Sequence, residues 1–441
     1  MIRPHSIALC VALCTASRTA SAQVAAAPQA PASPPAAASA PVIPAPTAPA
    51  TVVFGGDVVP HGDVLRSMAA HGDASLLAPV ASVLRAADLA LLNLETPAAP
   101  SRPEIRAGLQ FNVHANFVRA LADVGVDAVS IANNHAYDQG VDAVAETVRT
   151  VRDAGMRPIG AALPNEDPYL PQEFPLAGST LCVFAVTRLL NFPIPAQTPA
   201  QPRVALARRL VRGETQRLLQ AIAAHRTHCG AVIVSLHSGV EYQNAPEAPD
   251  RTFFRQVADA GADVVIGHHS HTPHPVEAYV TGGHTVPIFF SLGNFVSNQG
   301  NAADSGVDAY SGGRWQLALD ARTREGLLAV LRFERGTGDR LRLAQYGYVP
   351  LWTINTRWRT PRASPMRISA ALMPRDGGGD RMLSLRWTGL VRRVGESALV
   401  PVDRLPGGDD AYRTGTPLVL ENRVRHRATA SATPSAHPGG S

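Results

Sequence analysis

Short apolar runs alternate with helical patterns along most of this chain, and seven of the apolar runs end at or just before a polar residue. The residues at these ends are Asp57, Glu95, Asn134 with His135, Thr187, His237, His269 with His271, and Asn294. The carboxyl ends of buried parallel strands lie at one edge of a sheet, where α/β proteins place their active sites. The pattern therefore predicts a metal-dependent hydrolytic site made of carboxylate, amide and imidazole groups.

Four segments place apolar residues three or four positions apart, which predicts helices over residues 115–125, 141–155, 205–225 and 250–261. An apolar strand follows each helix, so the predicted fold class is α/β, with a mainly parallel sheet and helices on its faces. After about residue 300 the segments alternate or run apolar between turn residues. We expect β-strands there, including 314–321 and 381–391, which either complete the core or form a subdomain.

Composition divides the chain into a folded core and polar or low-complexity ends. Residues 23–50 are rich in Ala and Pro and predict an extended linker, and residues 424–441 predict a disordered tail. Between them we expect the main domain over 51–300 and the β-rich part over 301–423. The 441 residues, 45% of them hydrophobic, are enough for one large domain with a smaller one.

Charge argues against one class of partner. The net charge is +5, and arginine carries the positive charge because the chain contains no lysine. The arginines are spread along the sequence without a dense basic block, so we expect no nucleic-acid binding.

The first 22 residues have the pattern of a signal peptide. Arg3 precedes an apolar stretch from Ile7 to Ala16, and small residues predict cleavage after Ala22. The apolar stretch is shorter than the roughly 20 residues that a membrane-spanning helix needs. We expect an exported protein, periplasmic or associated with the cell surface, with no transmembrane span after cleavage.

The four cysteines fall into two pairs with different possible roles. Cys10 and Cys14 each follow a leucine, where a lipoprotein signal has a small residue, so lipid attachment is the less favoured alternative. Cys182 and Cys229 remain after cleavage. In an oxidising compartment they either form a disulfide or stay as two buried thiols.

Asp57 and Glu95 are the candidate carboxylate ligands. Asp57 follows two glycines at a strand end, where the alternative is a plain turn. Asn93 and Glu95 lie on one face of the next strand because strand side chains alternate. A carboxylate that bridges two cations holds them about 3.5 to 4 Å apart, and Glu95 is the bridging candidate, with a capping role as the alternative.

The segment around His135 supplies amide, imidazole and carboxylate groups at one strand end. Asn134 is a candidate metal ligand through its carbonyl oxygen, and His135 is the candidate catalytic residue for proton transfer or charge stabilisation. Asp138 either orients His135 or caps the next helix, and the cap is the favoured alternative.

Two further strand ends supply histidines. His237 ends a buried strand, and Glu241 either supports it or faces solvent. In an extended loop His269 and His271 point the same way and can share a two-metal site.

The remaining residues of this region are supporting candidates. His268 should point away from the metal and serve as a supporting or substrate residue. Asn294 either orders the histidine loop, which is favoured, or contacts substrate.

Six ordered segments resemble the signature motifs of the CapA family, which is named for poly-γ-glutamate capsule synthesis. They read GDVVPHG, NLETP, SIANNHAYDQG, VSLHSGVEYQ, GADVVIGHHSHTPHPVE and FFSLGNFVS, within residues 51 to 300. CapA domains are similar to calcineurin-like metallophosphoesterases. The resemblance therefore implies a four-layer α/β/β/α sandwich with two metals at the strand ends, rather than a single sheet.

The resemblance also implies a role for each ligand. One cation would bind Asp57 and His271, the other Asn134, His237 and His269, with Glu95 bridging them and His135 beside the leaving or attacking oxygen. The chain departs from the phosphoesterase pattern at two positions. Val59 stands where a histidine is usual, and Glu95 replaces the usual bridging aspartate.

These features lead to one main hypothesis and two alternatives. The main hypothesis is an exported CapA-like protein of capsule or envelope polymer synthesis or processing. It would use two divalent ions (Mn, Zn or Fe) on an anionic polymer or a phosphoester, and envelope export machinery is a further candidate partner. The alternatives are a non-catalytic polymer-binding or export accessory protein and a periplasmic metallophosphoesterase.

Overall fold

A computed structural model describes residues 49–60, 62–105, 108–194, 196–303, 316–357, 365–400 and 405. The predicted signal peptide, nearly all of the predicted linker and the predicted tail lie outside these residues. Among the described residues, no helix combines the length and apolar character needed to cross a membrane.

The described residues form strands and helices that alternate through the first two thirds of the chain. The strands are β1 (Ala50–Val58), β2 (Leu89–Leu94), β3 (Ala128–Ser130), β4 (Arg157–Ile159), β5 (Ala161–Ala162), β6 (Gln172–Leu176), β7 (Ser179–Thr187), β8 (Arg203–Val204), β9 (Ala231–His237), β10 (Val264–His268), β11 (Val276–Thr281), β12 (His284–Phe289), β13 (Asn294–Val296), β14 (Glu325–Arg335), β15 (Leu341–Asn355) and β16 (Ile368–Leu372). The helices are α1 (Gly62–His71), α2 (Ala81–Ala86), α3 (Ala115–Asp123), α4 (Val141–Asp153), α5 (Arg212–His225), α6 (Ala248–Asp259) and α7 (Arg381–Val394).

The strands form two large sheets instead of the single one that periodicity alone predicts. The eight-stranded sheet has the order β16-β15-β14-β1-β2-β3-β4, with β13 also paired to β1. The six-stranded sheet has the order β11-β12-β10-β9-β7-β6. In each sheet the strands that follow helices are parallel, whereas the hairpin strands at the edges are antiparallel.

Alternate residues of β7 belong to two different hydrophobic cores. Leu181 and Val183 join a core that also contains residues of the eight-stranded sheet. Cys182 and Phe184 join a second core together with residues of α5 and α6. Burial on both faces explains why this strand is a continuous apolar run in the sequence.

Cys182 and Cys229 form a disulfide, so the structure shows the first of the two cysteine alternatives.

The C-terminal region extends the eight-stranded sheet, because β14 pairs antiparallel with β1 and then with β15. The prediction of a strand over 381–391 was wrong, because this segment lies in α7. Asp380 caps that helix by accepting hydrogen bonds from Met382 and Leu383, and its buried residues recur at helical spacing. The predicted strand over 314–321 was also wrong in its described part, where a short 3-10 turn forms over Leu317–Leu319.

The four predicted helices are present, but one of them begins later in the sequence than predicted. The third begins only at Arg212, because Ala205 and Ala207 lie buried in non-helical chain.

Candidate metal centre

Asp57 reaches the site because three strands meet at its position. It pairs in register with Asn93 of β2 and with Asn294 of β13. This close approach requires glycine at Gly56, where an added Cβ would lie 1.9 Å from the carbonyl oxygen of Gly293. The strand ends therefore bring these three polar side chains to one place.

The six-stranded sheet supplies the imidazoles. His268 of β10 pairs in register with His237 of β9, and the loop after β10 carries His269 and His271. All four histidines are buried.

Glu95 lies between the two sets of ligands. Its side chain is buried, and neither of its carboxylate oxygens has a hydrogen-bond partner among the described residues. Its Oε1 is 3.6 Å from Nε2 of His237 and 3.9 Å from Nε2 of His271. These distances are too long for hydrogen bonds. They suit two ligands of one ion, because ligands bound at about 2.0 to 2.2 Å lie up to about 4 Å apart.

Glu95 belongs to two groups of donor atoms that can hold a metal ion. One group contains Glu95, His237 and His269, and the other contains Asp57, Glu95 and His271. Within each group one ligand atom of every residue lies within 4.8 Å of the others. Asn134 adds its Oδ1, which is 2.7 Å from Nε2 of His237. The structure thus brings together all six residues that the sequence proposed as ligands.

Asp57 keeps its negative charge in this buried position. Burial raises the pKa of its carboxyl, but His268, His271 and a hydrogen bond from Asn93 outweigh burial and leave the pKa below its usual value. Oδ1 accepts from Nδ2 of Asn93 at 2.8 Å, and Oδ2 accepts from the backbone N–H of His269 at 3.1 Å.

Glu95 has the opposite electrostatic environment. Burial, and then the charges of Asp57, Glu241 and Asp138, raise its pKa well above the usual value. No described cation offsets these charges within hydrogen-bonding distance, so a bound positive ion would relieve an unfavourable arrangement.

Burial also lowers the pKa of two of the ligand histidines, His237 and His269. Desolvation, and then the neighbouring imidazoles, hold the pKa of His237 well below its usual value. Burial and the charge of His271 lower the pKa of His269 to about 3. A neutral imidazole offers the lone pair that a metal requires.

The histidine loop is not extended, contrary to the prediction. His269 and His271 have φ values of 91° and 57°, which is the left-handed region that non-glycine residues seldom adopt. Specific contacts hold this conformation. The backbone N–H of His269 donates to Asp57, and Nδ1 of His271 lies 3.0 Å from Oδ1 of Asn294. Strained backbone of this kind is concentrated at functional sites.

His135 lies beside the cluster and is held from two sides. Its Nδ1 is 2.7 Å from Oδ2 of Asp138, and its ring stacks on Phe111 with centroids 4.3 Å apart. The favoured expectation that Asp138 caps α4 was wrong, because Gly140 occupies the cap position and Asp138 instead orients His135. Asp138 also accepts from the backbone N–H of Phe111 at 2.8 Å, which ties the stacking residue to the same carboxylate.

The remaining predicted residues surround the ligands. His268 does not point away, since its Nδ1 lies 3.2 Å from Oδ1 of Asp57. Asn294 donates to the carbonyl of Thr323 at 2.7 Å while it contacts His271, so it anchors the histidine loop. Glu241 does not support His237; its Oε1 is 3.9 Å from Nε2 of His271, with its side chain 41% exposed.

Two residues that the sequence did not single out also contact the cluster. Nδ2 of Asn191 lies 3.2 Å from Nδ1 of His135, and its Oδ1 accepts from Asn134 at 2.9 Å. The ring of Tyr242 stacks on His271 with centroids 5.7 Å apart. Thr187, a predicted strand end, turns its hydroxyl to the carbonyl of Leu189 and so shapes the loop that carries Asn191.

A family model matches the part of the chain that contains these residues. The family model described as bacterial capsule synthesis protein PGA_cap matches residues 51–299. The chain belongs to the PGA_cap family. The match includes every candidate ligand, but it ends before β14, so the C-terminal strands and α7 lie outside it.

Three relatives show how far the similarity extends. The PGA biosynthesis protein CapA of Bacillus subtilis (strain 168) is 28% identical over 252 residues, covering 56% of this chain and 63% of the relative. The capsule biosynthesis protein CapA of Bacillus anthracis is 24% identical over 260 residues, covering 57% and 60%. A Mycobacterium tuberculosis protein named as a probable polyglutamine synthesis accessory protein is 28% identical over 249 residues, covering 53% and 60%. The chain thus spans about three fifths of the length of these relatives.

Proposed function

We propose that this PGA_cap protein is an exported hydrolase with two divalent cations, Mn, Zn or Fe, acting on an anionic polymer of the cell envelope. The two sheets would form the inner layers of a four-layer α/β/β/α sandwich, with the metals at the strand ends. One observation carries the proposal. Glu95 is buried without a hydrogen-bond partner among the described residues and belongs to both groups of metal donors.

The donor set suits borderline divalent ions. Imidazole nitrogens, carboxylates and an amide oxygen are ligands that Zn, Mn and Fe accept. When bound, two such ions lower the pKa of water and polarise the group under attack.

His135 would move the proton. Asp138 holds its Nδ1, so Nε2, which lies 3.3 Å from Nδ2 of Asn191, would be the ring nitrogen that transfers a proton to a leaving group. Stacking on Phe111 fixes the plane of the ring, so that Nε2 keeps one direction during the reaction.

Two features support the substrate class and the location. Two of the relatives are named for PGA or capsule biosynthesis, and a polymer of that kind carries carboxylates that cations attract. The Cys182–Cys229 disulfide favours an oxidising compartment, in agreement with the signal-peptide pattern. Export would place the enzyme beside surface polymer, where envelope export machinery is a candidate partner.

Turnover measurements test the proposal. Wild type and His271→Ala should be assayed on poly-γ-glutamate and on a model phosphodiester, with and without a chelator. We expect metal-dependent cleavage of at least one substrate by wild type, and its loss in the variant and after chelation. Absence of turnover in metal-loaded wild type on both substrates would contradict a hydrolytic function.

A second candidate function is polymer binding without turnover. The group of Asp57, Glu95 and His271 has three donors, whereas Asn134 gives the other group a fourth. If the three-donor group binds its cation only weakly, the protein would bind polymer without hydrolysing it. Polyglutamate binding should then survive both chelation and His269→Ala.

A further inference from the structure

The two donor groups differ in the number of ligands that the buried residues supply. Glu95, His237, His269 and the amide oxygen of Asn134 form a set of four. The other group has three members, and position 59, two residues after Asp57, is a buried valine that offers no donor. A metal held by three protein donors has room for a fourth.

Glu241 supplies a further carboxylate next to His271 of this group. Its Oε1 is 3.9 Å from Nε2 of His271, the same distance that separates this nitrogen from Oε1 of Glu95. Neither contact is a hydrogen bond at this length. Nδ1 of the same ring lies 3.0 Å from Asn294, so Nε2 is the nitrogen turned toward the two carboxylates.

The loop after β9 holds Glu241 against the histidine loop. The backbone N–H of Tyr242 donates to the carbonyl of Ser270 at 2.8 Å, and Tyr242 adopts a left-handed φ of 63°. Its ring stacks on His271, and its side chain hydrogen-bonds Glu241. Tyr242 therefore holds the segment that carries Glu241 beside the histidine loop.

Glu241 also differs from the other donors in exposure. Its side chain is 41% exposed, whereas those of Asp57, Glu95 and His271 are at most 4% exposed. As a ligand, Glu241 would therefore lie on the solvent side of the three buried donors. It would also reduce the net charge of a site that holds four positive charges against the two buried carboxylates.

We propose that Glu241 is the fourth, solvent-side ligand of the cation held by Asp57, Glu95 and His271. The proposal rests on the two-cation function above. It assigns to this residue a direct bond to metal, in place of the missing donor at position 59.

Calorimetric titration of the metal-free full chain with Mn²⁺ tests the assignment without an activity assay. We expect wild type to bind in two steps, and Glu241→Gln to keep one step and to weaken the other at least tenfold. Glu247→Gln removes an exposed carboxylate from the same loop and should bind as wild type does. Circular dichroism checks that each variant is folded, and Glu241→Asp should recover part of the lost affinity.

The possible failures are distinguishable. If Glu241→Gln binds two Mn²⁺ with wild-type affinities, the ligand assignment is wrong and the two-cation function stands. If wild type itself binds no Mn²⁺, Zn²⁺ or Fe²⁺, the proposed function fails, and the role of Glu241 fails with it.

Discussion

Two buried glutamates of this protein have opposite surroundings. Glu325, at the start of β14, accepts a hydrogen bond from Arg393 of α7 and has Arg386 at 3.8 Å. Glu95, after β2, is just as buried, and imidazole nitrogens of His237 and His271 lie 3.6 and 3.9 Å from its Oε1. The chain provides its own cations for the first carboxylate and none among the described residues for the second.

The electrostatics show what this difference means. Burial raises the pKa of Glu325, and Arg393 and Arg386 offset part of that increase. Burial also raises the pKa of Glu95, but there the neighbouring carboxylates raise it further. The first carboxylate has counter-charges supplied by the chain, whereas one surrounded by carboxylates and imidazoles is arranged for an external cation.

Removing the partner of Glu325 should have the largest effect on stability. Arg393→Met leaves a buried carboxylate with only the more distant Arg386, and we expect the free energy of unfolding to fall by about 3 kcal/mol. Chemical denaturation of metal-free protein measures this change. A loss below about 1 kcal/mol would mean that the pairing of Glu325 with Arg393 contributes little to the stability of the fold.

Adding metal should separate the two glutamates. At a free Mn²⁺ concentration of about 100 times the dissociation constant, binding stabilises a protein by about 2.7 kcal/mol per site. We expect thermal melts of wild type and Glu325→Gln to shift upward by similar amounts on addition of Mn²⁺, and Glu95→Gln to shift little. Equal shifts in all three proteins would place the metal elsewhere.

In the metal-free chain, Glu95→Gln should raise the free energy of unfolding, by about 1 kcal/mol. The substitution removes a buried charge that lacks a hydrogen-bond partner among the described residues, and such groups are costly. Denaturation in the presence of chelator tests this. A loss of stability would show that the carboxylate contributes to the fold without metal.

The smallest effect concerns pH. The pKa of Glu325 in the folded chain lies above its ordinary value, because burial outweighs the two arginines. The folded state therefore binds this proton more tightly, and the contribution of Glu325 to stability decreases as pH rises through its unfolded and then its folded pKa. Glu325→Gln should lack this part of the dependence, so its stability should fall less than that of wild type between pH 4 and pH 7. An identical pH dependence would contradict the shift.

Sequence patterns account for the proximity of some of the candidate ligands. Asp57, Glu95 and His237 follow apolar strands, and parallel strand ends meet by geometry, so their proximity follows from position. Asn191 lies in an irregular loop, where no periodicity indicates direction. The left-handed backbone of His269 also has no sequence signal, because tertiary contacts impose it.

The C-terminal part shows a different limit. The dense apolar residues of α7 led to the prediction of a strand, whereas capping by Asp380 favours a helix. The location of Glu241 beside His271 instead of His237 depends on how two loops fold over each other. Neither loop has a periodic pattern of residues, so this contact could not be predicted from the sequence.

Elemental analysis of purified wild-type protein tests the two-cation site most directly. After expression with Mn, Zn and Fe and exhaustive dialysis, we predict about two metal ions per chain, and fewer than one in Glu95→Gln, with Glu325→Gln as the matched control at the wild-type value. A wild-type chain without bound metal, or an unchanged metal content in Glu95→Gln, would contradict a shared site at Glu95.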